Sequence, residues 1–221
     1  MTKIDSSDLG EAGEAFEGSD LLDGVLIPGG FGERGIDGII RVAGWARKNG
    51  VPCFGVCLGM QTMVIEWCRN AMGWADANSF EFDRDAGRLV INLLDGMDDD
   101  KNLGGTMRLG LGEIVAEPGT RVFAAYGPPP EDGDGSVRLL ERHRHRYEFS
   151  NKYRDEIAAS GLRIAAVTPG GGLVECVEWP DHPWGVGVQF HPEFKSRPTA
   201  ASPLFRDFIA AAGRFGARNA G

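Results

Sequence analysis

Residues 51–71 restrict the possible folds more than any other part of this 221-residue chain. They read VPCFGVCLGMQTMVIEWCRNA: an apolar run at 51–56, then Cys57 between two glycines, then a helical stretch from 60 to 71. An apolar run of this kind fits a strand buried on both faces. A strand that reverses straight into a helix leaves no room for neighbouring side chains, which accounts for Gly55 and Gly59 around Val56-Cys57-Leu58. The central residue then points out of the turn, and the helix N-terminus beside it favours a thiolate. Cys57 is therefore a candidate nucleophile. The ordinary alternative is a buried small residue at a strand end, as Cys53 and Cys68 are expected to be.

The neighbouring segments extend this pattern. Residues 25–27 are apolar and stop at Pro28-Gly29-Gly30, a strand running into a tight turn. From 36 to 49 the apolar residues Ile36, Ile39, Ile40 and Ala43 follow helical spacing, and Arg47, Lys48 and Gly50 close the helix. Strand, helix, strand, helix in succession predicts βαβα packing and a parallel sheet. Between 78 and 137 the runs are short (89–94, 109–115), glycines are many and PPPEDGDG occupies 128–135. This stretch reads as short strands and a mobile excursion over the sheet. Strands return at 162–167, 173–179 and 184–190, and an amphipathic helix runs from 203 to about 215. No internal repeat is evident. The expected fold is a three-layer α/β domain over 21–221, with an open, mixed but mostly parallel sheet and helices on both faces. Residues 1–20, rich in Gly, Ser and acid from 6 to 20, are expected to be a flexible or truncated N-terminal segment.

A cysteine nucleophile needs a base, and the base needs an orienting acceptor. The strand at 184–190 runs into His191-Pro192-Glu193. In an extended chain His191 and Glu193 share one side, and Pro192 fixes the backbone between them. Taken alone this is an ordinary strand end with an exposed Glu; beside an elbow cysteine it completes a Cys57–His191–Glu193 triad. Acyl transfer also requires backbone N–H groups aimed at the oxyanion. Gly30, in the turn after the first strand, and Leu58, after the nucleophile, are the candidates; a plain strand-to-loop turn is the alternative for the former.

The stretch 141–147, ERHRHRY, is unusually basic for this chain. A solvated basic strand is the ordinary reading, and an anion site the sharper one, because Arg grips carboxylate and phosphate in bidentate fashion. His143 and His145 have no thiol or carboxylate cluster to complete a ligand set, so no metal is expected.

Composition narrows the function classes. A net charge of -9 argues against nucleic-acid binding, which needs a basic face. No apolar run is long enough to cross a bilayer. The opening residues are polar and acidic without a secretory signal, so Cys53, Cys57, Cys68 and Cys176 are expected as reduced thiols in the cytoplasm.

Five segments together resemble the glutaminase domains of the CTP synthase family: PGGFGERG (28–35), GVCLGMQ (55–61), GGTMRLG (104–110), ERHRHRYE (141–148) and QFHPEF (189–194). The first, second and last are common to class I glutamine amidotransferases, a flavodoxin-like class; the other two are narrower. The resemblance spans about residues 4 to 215. It implies hydrolysis of L-glutamine through Cys57, His191 and Glu193, with Gly30 and Leu58 as the oxyanion hole. It further implies glutamine binding by Phe31, Gln61, Glu81, Arg146 and Tyr147. Ammonia would pass to a synthetase domain that aminates UTP with ATP and Mg²⁺, while glutamine hydrolysis itself needs no cofactor. GTP would activate hydrolysis near Arg108, and homo-oligomers would form only with the synthetase domain. Against that pattern, the synthetase domain is expected to lie outside this chain, and the strand and helix that begin the family's glutaminase domain are expected to be missing before residue 4. The alternatives are another class I amidotransferase, a γ-glutamyl hydrolase, or a catalytically silent regulatory module.

Overall fold

The computed structural model describes residues 1–7, 22–93, 107–131 and 133–219. The first strand, β1 (Val25–Ile27), leads through helix α1 (Ile36–Asn49) to β2 (Cys53–Val56) and helix α2 (Leu58–Asn70). The spans expected for β1 and α1 are met residue for residue. Then follow β3 (Ala77–Ser79), β4 (Arg88–Leu93), β5 (Arg108–Ala116) and α3 (Arg121–Tyr126). The second half holds β6 (Val137–His145), β7 (Tyr147–Phe149), α4 (Arg154–Ala159), β8 (Arg163–Val167), β9 (Val174–Glu178), β10 (Gly185–Val188) and α5 (Pro203–Asn219). Among the described residues no helix is long and apolar enough to cross a membrane.

The main sheet has the order β1-β2-β10-β9-β8-β5-β6, and β3-β4-β7 form a small second sheet. The main sheet is mixed, as expected, but it is not mostly parallel. Only β1–β2 and β2–β10 pair in parallel; β10–β9, β9–β8, β8–β5 and β5–β6 are antiparallel. The reason is connection length: 168–173 and 179–184, which join β8, β9 and β10, are too short for the crossover that a parallel pair requires. Nor is the middle of the chain a mere excursion. β5 pairs along its whole length with β6, and α3 packs Val122 and Ala125 into the core. Residues 94–106 lie outside the described residues, as does most of the 6–20 segment.

Two apolar layers enclose the sheet. One gathers Ile40 and Ala43 of α1, Met60, Met63 and Val64 of α2 and Ile157 of α4, together with the small sheet's Ile91 and Phe149. The other gathers Leu204, Phe208 and Ala211 of α5 with Phe54, Val56, Val186 and Val188. Strand alternation supplies both: Cys53 of β2 faces the first layer and Phe54 the second.

Helix α2 lies unusually close to the strands beneath it, and glycines make that possible. A Cβ on Gly59 would sit 2.3 Å from the carbonyl oxygen of Ile27, and one on Gly55 would sit 2.6 Å from the Gly59 carbonyl carbon. On β10, a Cβ at Gly187 would come within 2.9 Å of Met60. Only the hydrogen of glycine fits such gaps. We predict that Gly59→Ala costs about 3 kcal/mol or more in thermal or denaturant unfolding, because backbone cannot yield as a side chain can. Gly213→Ala, on α5 with no atom within 4 Å of the added Cβ, should instead stabilise by about 0.5–1 kcal/mol.

Candidate active site

The three parallel strands β1, β2 and β10 end side by side, which is where open α/β sheets build their sites. Beyond β1 comes Pro28-Gly29-Gly30, beyond β2 comes Cys57, and beyond β10 come Gln189 and His191. Three segments far apart in sequence therefore meet at one edge.

Cys57 is the N-cap of α2 and holds φ 53° and ψ −104°. A side-chain-bearing residue at positive φ is strained, and here the strain follows from the tight strand-to-helix reversal. Its N–H is anchored to the Val188 carbonyl at 2.7 Å. Leu58 follows at the first helical position, where the N–H has no partner within the helix. Gly30 lies against it, since a Cβ there would be 3.0 Å from Leu58 Cδ2. The two expected oxyanion donors are thus neighbours in space.

His191 is held from several directions. Its N–H bonds to the Arg142 carbonyl, and its ring stacks on Phe194 with centroids 4.7 Å apart and an interplanar angle of 8°. Nδ1 lies 2.5 Å from Glu193 Oε1. The pairing is the one expected, but the route differs: Pro192–Phe194 forms a 3-10 turn, so Glu193 folds back onto its histidine instead of alternating along a strand. The remaining ring nitrogen, Nε2, is buried and makes no hydrogen bond. Gly29 shows how close the two reactive groups are. A Cβ there would be 2.8 Å from His191 Cε1 and 3.5 Å from Cys57 Cβ. Sequence reasoning missed that role for Gly29, although a glycine run after a strand is its signal.

Burial works against a charge on His191, yet coupling to Cys57 and Glu193 outweighs it and raises the imidazole to about 9. The other thiols stand apart from this chemistry: burial pushes Cys68 up to about 12, Cys53 higher still, and Cys176 well above the ordinary thiol range.

Several residues expected to bind a substrate are tied to the segments that follow β1 and β2. The Glu81 carboxylate accepts the Gly32 N–H at 2.8 Å and so ties down the loop after β1. Burial raises the pKa of Glu81, partly offset by the Gly32 N–H and by Arg146 nearby. Arg146 occupies the corner where the chain leaves β6 for β7, between the two sheets. Tyr147 is buried, with its ring 6.5 Å from Phe80. Phe31 is exposed at the mouth with the Arg144 guanidinium over its ring. Gln61 is buried and its amide nitrogen donates to the Tyr147 carbonyl and to Gln189 Oε1.

One expectation needs correction. The stretch 141–147 is not a uniformly solvated basic strand: Arg142 and Arg144 face solvent while Glu141, His143 and His145 face inward. Burial lowers both histidines to about 3, so they are neutral. Arg108 is turned inward, 2.5 Å from Glu175 and 3.6 Å from Glu148, both buried. Burial pushes Glu148 up to about 7, with Arg108 pulling the other way. Among the described residues no cluster of three or more His, Cys, Asp or Glu is arranged to hold a metal ion.

The sequence matches the family described as glutamine amidotransferase class-I over residues 11–211. The chain belongs to that family. Within it, two curated relatives are both called CTP synthase. That of Carboxydothermus hydrogenoformans is 53% identical over 190 residues, 86% of this amidotransferase chain and 34% of the relative. That of Moorella thermoacetica is 50% identical over 198 residues, 90% and 35% respectively. The chain thus spans about a third of the length of these relatives. Among solved structures, the glutaminase domain of Trypanosoma brucei CTPS with bound acivicin superposes with a TM-score of 0.84 at 40% identity. That match covers 96% of this chain and 80% of the other.

The His191 coupling has a measurable consequence. Its folded value lies above the ordinary 6.5, so the stability it contributes is complete below 6.5 and is lost as pH rises through 9. Followed by NMR, the titration of His191 should drop by roughly one pH unit or more in Cys57→Ala and again in Glu193→Gln. An unchanged midpoint in both variants would contradict the coupling.

Proposed function

We propose that this amidotransferase chain is the glutaminase part of a CTP synthase, hydrolysing L-glutamine at Cys57. The observation that carries the reading is the meeting of Cys57, the His191–Glu193 pair and Gly29-Gly30 at the ends of three parallel strands, in a chain half identical to CTP synthases. The thiolate of Cys57 attacks the side-chain carbonyl carbon of glutamine, and the C=O electron pair moves onto oxygen. The N–H groups of Gly30 and Leu58 hold that oxyanion. Collapse breaks the C–N bond while His191 gives its proton to the leaving nitrogen, releasing ammonia and leaving a γ-glutamyl thioester. His191, now neutral, takes a proton from water as it attacks the thioester; collapse breaks the C–S bond, releasing glutamate and restoring the thiolate beside protonated His191. Glu193 keeps the imidazole in one tautomer throughout.

Arg146 and Glu81 suit the two charged ends of free glutamine, the first its α-carboxylate and the second its α-ammonium group. Phe31, Gln61 and Tyr147 close the pocket around the aliphatic part. Ammonia then passes to a synthetase domain, outside this chain, that aminates UTP using ATP and Mg²⁺. GTP activates the hydrolysis, and the assembly is cytoplasmic. Hydrolysis by this chain uses only its own side chains. We take 21–221 as the functional domain.

The purified chain should release ammonia from L-glutamine, more so with GTP, and Cys57→Ala should release none. Arg146→Ala should raise KM about 10- to 100-fold with a smaller effect on kcat, the signature of lost ground-state binding. Release without GTP stimulation would favour a different class I amidotransferase. A folded chain that releases no ammonia would point to a silent module.

A further inference from the structure

Gln189 is entirely buried, and its Nε2 lies 3.7 Å from Cys57 Sγ. Which end of an amide faces a sulfur decides what the amide does, and here the surroundings leave one choice. The carbonyl of Tyr147 can only accept, so Gln61 must present its NH₂ group to it, at 2.9 Å. The same nitrogen reaches Gln189 Oε1 at 3.2 Å, and both hydrogens of Gln61 are then used. With its oxygen occupied, Gln189 turns its own NH₂ toward Cys57. The polarity runs one way from a backbone carbonyl to the nucleophile.

The histidines beside this relay support the same direction. His145 Nδ1 lies 3.2 Å from that Tyr147 carbonyl and must donate to it, which leaves His145 Nε2 to accept from His143 Nδ1 at 3.0 Å. The backbone of Gln189 is fixed as well, its N–H donating to the Glu175 carbonyl at 2.8 Å. This side chain is therefore placed and oriented before any substrate arrives.

We propose that Gln189 is a catalytic residue of the amidotransferase: its amide N–H stabilises the Cys57 thiolate, and Gln61 is the positioning residue that fixes its orientation. The inference rests on Cys57 being the nucleophile, as proposed above. A donor beside sulfur favours the charged form, whereas a reversed amide would disfavour it. Among the titratable groups here, His191 is the one coupled to Cys57, with Glu193 behind it. His143 and His145 from β6, Glu175 from β9, Glu148 from β7 and Arg108 from β5 are engaged with one another. Gln189 is the uncharged group that reaches the sulfur itself. The sequence signal was its place two residues before His191 in QFHPEF.

The test is the pH dependence of Cys57 alkylation by iodoacetamide, read by peptide mass so that the other cysteines do not contribute. Alkylation reports the thiolate and needs no glutamine turnover. In Gln189→Met the acid limb should move upward by about one pH unit, so that alkylation at a fixed pH on that limb slows about tenfold. Gln189→Glu, which sets a carboxylate against the sulfur, should move it further. Gln61→Met should give a smaller shift in the same direction, and it carries the test if the Gln189 variants do not fold. A folded Gln189→Met with the profile of the unmodified chain overturns the proposal. So does a Gln61→Met profile that does not move, should the Gln189 variants fail to fold. Shifted profiles in a chain that releases no ammonia would leave this role standing and sink only the proposed function. Normal hydrolysis with unshifted profiles would do the reverse.

Discussion

The contact between helix α2 and the carbonyl of Ile27 governs the rest of the molecule. Gly59 brings the helix to within one hydrogen's thickness of β1, and Gly55 and Gly187 clear β2 and β10 beneath it. With the helix so close, the chain has a single residue in which to turn from strand to helix. That residue is Cys57, and its positive φ is the local cost of the arrangement. The turn puts Cys57 at a helix N-terminus, leaves the Leu58 N–H without a partner in the helix, and sets Gly29 beside Cys57 and Gly30 beside the Leu58 side chain. The proposed nucleophile, the helix dipole and the proposed oxyanion donors therefore share one structural feature.

The base arrives by a different constraint. β10 pairs in parallel with β2, so its end must lie beside the elbow. There the chain closes into the 3-10 turn that returns Glu193 to His191, while Phe194 covers one face of the ring. The protonated imidazole of His191 is favoured here in spite of burial because of its coupling to Cys57 and Glu193. The polar groups behind the sulfur form a second set, joined by hydrogen bonds and by the Arg108 ion pairs, and they give this end of the sheet its fixed geometry.

Much of this was legible in the sequence where a local rule had no competitor. Pro28-Gly29 stops β1, Gly50 closes α1 in the left-handed region, and the two glycines around Cys57 announce the elbow. What was not legible depends on long-range pairing. The place of β5 between β8 and β6 joins segments far apart in the chain, although the short connections among β8, β9 and β10 already pointed to antiparallel pairing there. The inward turn of His143 and His145 was hidden because a run of charged residues reads as solvated, although the alternation in ERHRHRY already separates the arginines from the histidines. The ion pairs of Arg108 with Glu175 and Glu148 join residues far apart along the chain, so no local pattern announces them. For Gln189 the sequence offered only its place before His191 in QFHPEF, since a buried amide acquires meaning from the atoms at its two ends.

The central claim is that Cys57, and no other thiol, attacks glutamine. The most direct measurement is acid quenching of the chain during turnover with L-glutamine, followed by peptide mass mapping of all four cysteines. The account predicts a γ-glutamyl adduct on Cys57 alone, because burial keeps Cys53, Cys68 and Cys176 protonated. An adduct on any of those three, or turnover that persists in Cys57→Ala, would contradict it.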